Sequence, residues 1–181
     1  MKNFLDKIFF RSNNLNYISK KISELTKKTS AYKIFEAINS YSLESEIRYV
    51  GGCVRKILNN EKFDDIDLAT NINPEQIKVC LNNNNINFYE IGIDHGTITA
   101  KIDEKNFEIT SLRKDIETDG RHAVVKFTND WKEDSDRRDF TINSIYADLQ
   151  GNLFDPHNGF KDLKNGVIKF IGDPEKRIKE D

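Results

Sequence analysis

Apolar residues recur along this chain at two spacings, and the change from one to the other divides it into elements. In the first 33 residues Leu5, Ile8, Phe9, Ile18, Ile22 and Leu25 fall at roughly helical intervals. A second helical stripe, Ile34, Phe35 and Ile38, predicts a helix over Tyr32 to Tyr41. The β-prone run Arg48-Tyr49-Val50 then ends in Gly51-Gly52, a short helix follows over Cys53 to Leu58, and Asp65 to Thr70 reads as a strand. Asn73-Pro74-Glu75-Gln76 places a capping Asn, a proline at the first helical position and a Gln beyond it, which starts a helix running to about Leu81. Strand-like runs return at 86–91, 96–102 and 106–112, the last two joined by a turn at Asp103 to Lys105. Early helices followed by an antiparallel hairpin predict an α+β fold, with helices on one side of a small sheet. Residues 113–138 are charged and poorly periodic and read as a long loop with Asp119-Gly120-Arg121-His122 at its tip.

Composition narrows the class. A chain of 181 residues suits one domain, or one domain with an arm. Its 37% hydrophobic and 32% charged residues, with a mean hydropathy of -0.66, describe a soluble globular protein. No run of about 18 apolar residues is present, so no membrane span or membrane partner is expected. The net charge of -2 leaves no global nucleic-acid footprint, and any polyanion must meet a local patch or parts outside this chain. The first 33 residues depart from that balance: Lys2, Lys7, Arg11, Lys20, Lys21, Lys27, Lys28 and Lys33 face only Asp6 and Glu24. This basic amphipathic arm has three readings: a solvated face on a packed helix, an RNA-touching arm, or a removable organelle-targeting segment. Cys53 and Cys80 lack C-x-x-C spacing and are expected to be reduced, buried thiols of a cytoplasmic protein.

The chemistry concentrates at one place. Side chains two apart on a strand share a face, so Asp65 and Asp67 point the same way and repel unless a cation or a proton intervenes. Oxygen donors without Cys or His suit Mg²⁺. An isolated Asp-x-Asp is more often a solvated edge, so the surroundings matter. Gly51-Gly52, between a strand and a helix, allows a phosphate to approach the backbone, and Arg55 adds a bidentate donor; a tight connection is the plainer alternative. Glu108, mid-strand in Phe107 to Leu112, is either a third carboxylate for the metal or an ordinary sheet-surface acid. Arg137-Arg138-Asp139 suits phosphate and ribose, although composition alone favours a salt-bridged helix start. His95, His157 and Trp131 read as a turn, a loop residue and a lone aromatic; none has ligand spacing, which argues against zinc.

Six ordered stretches, Gly51-Gly52-x-Val54-Arg55, Asp65-Ile66-Asp67-Leu68-Ala69-Thr70, Gly92-Ile93-Asp94-His95-Gly96-Thr97, Glu108-Ile109-Thr110, Arg137-Arg138-Asp139-Phe140-Thr141-Ile142-Asn143-Ser144 and Asp155-Pro156-x-x-Gly159, together resemble the bacterial-type (class II) tRNA nucleotidyltransferases, the CCA-adding enzymes, and their poly(A) polymerase relatives. The resemblance covers about residues 45–181. It implies a polymerase-β-like nucleotidyltransferase head domain, a small mixed sheet backed by helices with carboxylates on its open face. It implies two Mg²⁺ ions held by Asp65 and Asp67, with Glu108 completing the shell, and transfer of a nucleotide from CTP or ATP to an RNA 3′ end with release of pyrophosphate. In that reading Gly51, Gly52 and Arg55 hold triphosphate, Arg137, Arg138 and Asp139 meet ribose and phosphate, and the segment from Arg113 to Asp130 helps arrange the nucleotide. The Gly92 to Thr97 stretch and the Asp119-Gly120-Arg121 loop favour CCA addition to tRNA over poly(A) synthesis.

Lys56 stands where the family usually has Asp, and Asn59-Asn60 replaces a common glycine before Asp65. The stretch Asp173-Pro174-x-x-Arg177-x-x-Glu180-Asp181 resembles the approach to a base-reading motif whose Arg lies beyond the last residue given. The expected organisation is therefore an arm over 1–33, a head over 34–173 and the start of a neck helix over 174–181. Nucleotide choice is expected to be incomplete in this stretch alone, with neck, body and tail supplied by further sequence or by a second polypeptide. The rival reading is a non-catalytic nucleotide- or RNA-binding remnant.

Overall fold

The computed structural model describes residues 17–62, 65–119 and 122–180. The arm residues Leu5, Ile8, Phe9, Lys2, Lys7 and Arg11 and the loop tip Gly120-Arg121 lie outside these. Helix α1 (17–29) buries Ile18, Ile22 and Leu25 in the main core, and α2 (Tyr32–Asn39) adds Ile34, Phe35 and Ile38. The described part of the arm thus packs on the domain. Thr26 shares a 2.9 Å hydrogen bond with the Tyr49 hydroxyl, tying α1 to the sheet.

The sheet contains β1 (Ile47–Val50), β2 (Ile66–Thr70), β3 (Asn87–Tyr89), β4 (Thr97–Ile102), β5 (Lys105–Ser111), β8 (Tyr146–Ala147) and β9 (Leu153–Phe154), in the order β3-β4-β5-β2-β1-β8-β9. Only β2 and β5 pair in parallel; the other neighbours are antiparallel. Alternation then sorts the side chains. Ile47, Tyr49, Ile66, Leu68, Ile98, Ala100, Phe107 and Ile109 face the helices α1, α2, α3 (Gly52–Leu58) and α4 (Pro74–Asn83) in one core. Arg48, Val50, Asp67, Ala69, Glu108 and Thr110 take the opposite face, where Val50, Ala69, Leu112 and Tyr146 form a smaller cluster with Trp131 and Phe154. Trp131 is accordingly no lone aromatic. Its ring lies edge-on to Tyr146 at 5.4 Å, and the Arg48 guanidinium sits 4.0 Å above it.

Helix α4 has the predicted start: Asn73 accepts from the Gln76 amide and Gln76 accepts from the Asn73 amide, a reciprocal cap. The expected loop over 113–138 is replaced by a second sheet, β6 (Arg113–Asp119) against β7 (His122–Phe127), followed by α5 (Trp131–Asp136). In β6, Arg-Lys-Asp-Ile-Glu-Thr-Asp carries no apolar alternation, so no strand period is visible in it. The register also slips between Asp115 and Glu117, which blurs any period further. Arg137 caps the C-terminal end of α5, so Arg137-Arg138 closes a helix where composition had suggested a start. Helix α6 (Gly159–Lys164) and α7 (Pro174–Glu180) complete the described chain.

Candidate active site

Strand β2 delivers Asp67 onto the face away from the main core, half-buried, while Asp65 stands exposed just before the strand begins. Parallel pairing with β5 sets Glu108 directly beside Asp67. The consequence is electrostatic: burial, and then the like charges of Glu108 and Asp65, push the Asp67 carboxyl above its ordinary range, with Arg138 and Lys56 pulling the other way. The Lys that departs from the family pattern therefore lends this corner a positive charge. Behind Asp67, the Cys53 thiol donates to the Val50 carbonyl at 3.2 Å and lies 3.6 Å from the Asp67 carbonyl, pinning α3 against β2. Burial pushes this thiol up to about 11, so it stays protonated as a packing group.

Gly51 forms the corner between β1 and α3, at φ 70° and ψ -133°, a conformation that side-chain-bearing residues avoid. A Cβ there would lie 3.7 Å from Asp67 Oδ2, 3.9 Å from Arg138 Nη1 and 4.0 Å from the Asn143 carbonyl oxygen. The empty side-chain position of Gly51 is thus bounded by a carboxylate, a guanidinium nitrogen and a carbonyl. Arg55, on α3, donates to Asn143 Oδ1 in the 3₁₀ turn Thr141–Asn143. The departure at Asn59-Asn60 is also accounted for: Asn60 adopts φ 59°, the left-handed conformation that Asn tolerates better than most residues.

The two arginines are held by a residue that sequence reading passed over. Asp134, 1% exposed in its side chain, takes Arg137 Nε at 2.9 Å and Nη2 at 2.8 Å on Oδ1, and Arg138 Nε at 3.3 Å and Nη2 at 3.1 Å on Oδ2. It also accepts from the Tyr146 hydroxyl at 2.7 Å and the Arg113 amide at 3.2 Å. Burial works to raise the Asp134 carboxyl, but Arg138, Arg137 and Tyr146 outweigh it and hold it below the usual range. Its signal was Asp-x-x-Arg-Arg, the i, i+3 and i+4 spacing of one helical face, hidden inside a stretch read as loop.

Structure therefore brings Asp67, Glu108, Gly51 and Arg138 to one corner, with Arg55 linked to it through Asn143. Gly52 follows Gly51 as the first residue of α3, and Arg137 points into Asp134. Asp139 is exposed beside the pair, and its backbone carbonyl accepts from Ile171 at 2.8 Å. Among the described residues no three Asp, Glu, His or Cys side chains are gathered closely enough to enclose a metal ion, and Glu108 lies beside Asp67 across the β2–β5 pair. His157, read as a bland loop residue, contacts Asp136 Oδ1 at 3.0 Å and Ser135 Oγ at 3.2 Å and takes no place at this corner.

A mixed sheet with helices behind it and acidic residues on its other face, flanked by a glycine corner and arginines, is the architecture of a polymerase-β-like nucleotidyltransferase head. The chain belongs to the poly A polymerase head domain family, whose model matches residues 47–169. The human CCA tRNA nucleotidyltransferase 1, mitochondrial, is 50% identical over 137 residues, covering 75% of this chain and 32% of that protein. The Bacillus stearothermophilus CCA-adding enzyme, in a crystal structure in complex with CTP, superposes with a TM-score of 0.71 at 30% identity, over 82% of this chain and 34% of that one. A tRNA nucleotidyltransferase complexed with a primer tRNA and an incoming ATP analog matches with a TM-score of 0.57 at 25% identity, over 83% and 39%. The chain spans about a third of the length of the relatives it matches.

Proposed function

We propose that this chain is the head of a template-independent RNA nucleotidyltransferase, joining nucleoside monophosphates from CTP and ATP to the 3′ end of tRNA. The observation that carries this is the corner where Asp67, crowded by Glu108 and Asp65, faces Arg138 across Gly51. Its donor set fits Mg²⁺: hard carboxylate oxygens, a carboxyl held above its ordinary range by burial and by the like charges of Glu108 and Asp65, and space left by a missing Cβ. Asp65 and Asp67 would hold the metal, the remaining positions being left to phosphate and water. Bound there, Mg²⁺ supplies Lewis acidity at the α-phosphate and charge neutralisation for departing pyrophosphate. The chain's own residues do the rest. Gly51 lets phosphate oxygens close on the backbone, Arg138 and Arg55 lie where they can offset phosphate charge, and Asp139 is free to meet a ribose hydroxyl. The rest of the grip on tRNA falls to regions equivalent to the unmatched length of the relatives, whether in continuing sequence or a second polypeptide.

Incorporation of labelled CTP and ATP, supplied separately with tRNA lacking its terminal CCA and with unstructured RNA, tests the reading, with relatives' downstream regions added where needed. CTP and ATP should both enter tRNA. ATP alone entering both RNAs would instead mark a poly(A) polymerase. Asp65→Ala and Asp67→Ala should each lower incorporation by about 1,000-fold, equivalent to about 4 kcal/mol of transition-state stabilisation. Retention of turnover in both would remove the carboxylates from the reaction.

A further inference from the structure

Arg138 carries three nitrogens, and two of them are committed. Nε reaches Asp134 Oδ2 at 3.3 Å and the Tyr146 hydroxyl at 3.0 Å, and Nη2 reaches the same Oδ2 at 3.1 Å. Tyr146 itself donates to that oxygen at 2.7 Å, closing a three-membered network. Nη1 is the nitrogen left over, and it is the one 3.9 Å from the empty Cβ position of Gly51, opposite Asp67 Oδ2. A guanidinium is planar, so gripping its Nε and Nη2 edge fixes the direction of Nη1.

Tyr146 is set in turn by its surroundings. It is fully buried on the short strand β8, edge-on to Trp131 and 5.8 Å from the Phe154 ring. Asp134 is buried on α5 with its other oxygen saturated by Arg137. A buried carboxylate with this many donors is costly to assemble and is weak evidence for stability as such. What it does achieve is orientation.

We infer that Asp134 and Tyr146 are positioning residues, which grip the Nε and Nη2 edge of Arg138 so that Nη1 is presented to a phosphate group of the incoming nucleotide at the Gly51 corner. This rests on the nucleotidyltransfer reading above, and deepens it by assigning residues that touch no substrate.

The test measures binding of Mg²⁺-tripolyphosphate, Mg²⁺-CTP and cytidine by calorimetry, with thermal unfolding followed alongside. Asp134→Asn strips charge from a buried pair and threatens the fold, so it is paired with Tyr146→Phe, which removes one hydroxyl and keeps the ring. Tyr146→Phe should weaken tripolyphosphate and CTP alike by about 10-fold, the loss of one hydrogen bond to a charged group, and leave cytidine unchanged. Arg138→Lys should weaken them more. The double variant Tyr146→Phe/Arg138→Lys should be no worse than Arg138→Lys alone, because Tyr146 acts only through the fork. Folded Asp134→Asn should show the same phosphate-only loss. Multiplying losses in the double variant, equal losses for cytidine, or wild-type tripolyphosphate binding by Tyr146→Phe would each overturn the inference while leaving nucleotide transfer standing. Absence of any binding by the unaltered chain, with the relatives' downstream regions joined to it, would instead overturn both.

Discussion

Asp67 sits in an environment that opposes its own charge, and that has a stability consequence separate from catalysis. Its folded carboxyl is held above the ordinary range by burial and by Glu108 and Asp65. The folded state therefore binds more protons than the unfolded one between the ordinary carboxylate value and the raised one, and stability falls as pH climbs through that window. Asp67→Asn removes the penalty. The variant should match the wild type in acid, below the ordinary carboxylate range, and melt at a higher temperature than the wild type at pH 7. Millimolar Mg²⁺ should narrow the gap by stabilising only the wild type; a variant less stable at pH 7 without metal would contradict the electrostatic account. The residues that meet at the Gly51 corner stood out in the sequence because each departs from what a bland strand or turn would hold: an acid within a strand, paired glycines, paired arginines; the expectation that Asp65 shares the strand with Asp67 did not hold, since β2 begins at Ile66. Asp134 did not stand out, since an acid in a charged stretch looks solvated until a helix is known to bring Arg137 and Arg138 over it.

At the scale of elements, the apolar periods marked α2, α3, α4 and β1 to β5 to within a few residues, because each buries a stripe or a face in the main core. The ribbon β6–β7 and the short β8 and β9 had no such stripe to display. The motif Asp155-Pro156-x-x-Gly159 acquires a mechanical meaning only in three dimensions. Asp155 accepts from the Gly159 amide at 2.7 Å and the Phe160 amide at 2.9 Å, starting α6. Asp162 on α6 then accepts from the Thr141 hydroxyl at 2.8 Å. A Cβ on Gly159 would fall 2.0 Å from the Thr141 carbonyl oxygen, inside any permitted contact with backbone. So α6 lies hard against the turn that carries Asn143, the partner of Arg55. Gly159→Ala must push that turn aside, at a cost of about 1–3 kcal/mol. Since the turn also bounds the Gly51 corner, nucleotide affinity should fall together with the melting temperature. Gly166→Ala, where a Cβ meets nothing but the backbone stays left-handed, serves as control, losing stability without losing affinity.

Across the whole molecule the sheet divides two layers of very different size. The helical side holds the long run of buried residues from Ile18 to Ala147, whereas the described part of the carboxylate side is built on Val50, Ala69, Leu112 and Tyr146 with Trp131 and Phe154. Segments with few buried apolar contacts open at lower free energy than the core they rest on. The carboxylate side also carries the repulsion at Asp67, which the main core does not share. The chain has a single tryptophan, and Trp131 lies in the small layer, so its emission reports that layer alone, while far-UV circular dichroism follows mainly the helices on the other side. In urea the Trp131 transition should precede the loss of helical signal. Mg²⁺-CTP at about 100 times its dissociation constant adds about 2.7 kcal/mol to whatever state binds it. Because the proposed binding corner lies on the same face of the sheet as the small layer, the ligand should move the tryptophan transition further than the helical one and bring the two together. Coincident transitions without ligand would mean that β1, β2 and β8, which contribute side chains to both faces, weld the layers into one cooperative unit, and the site would then share the full stability of the core.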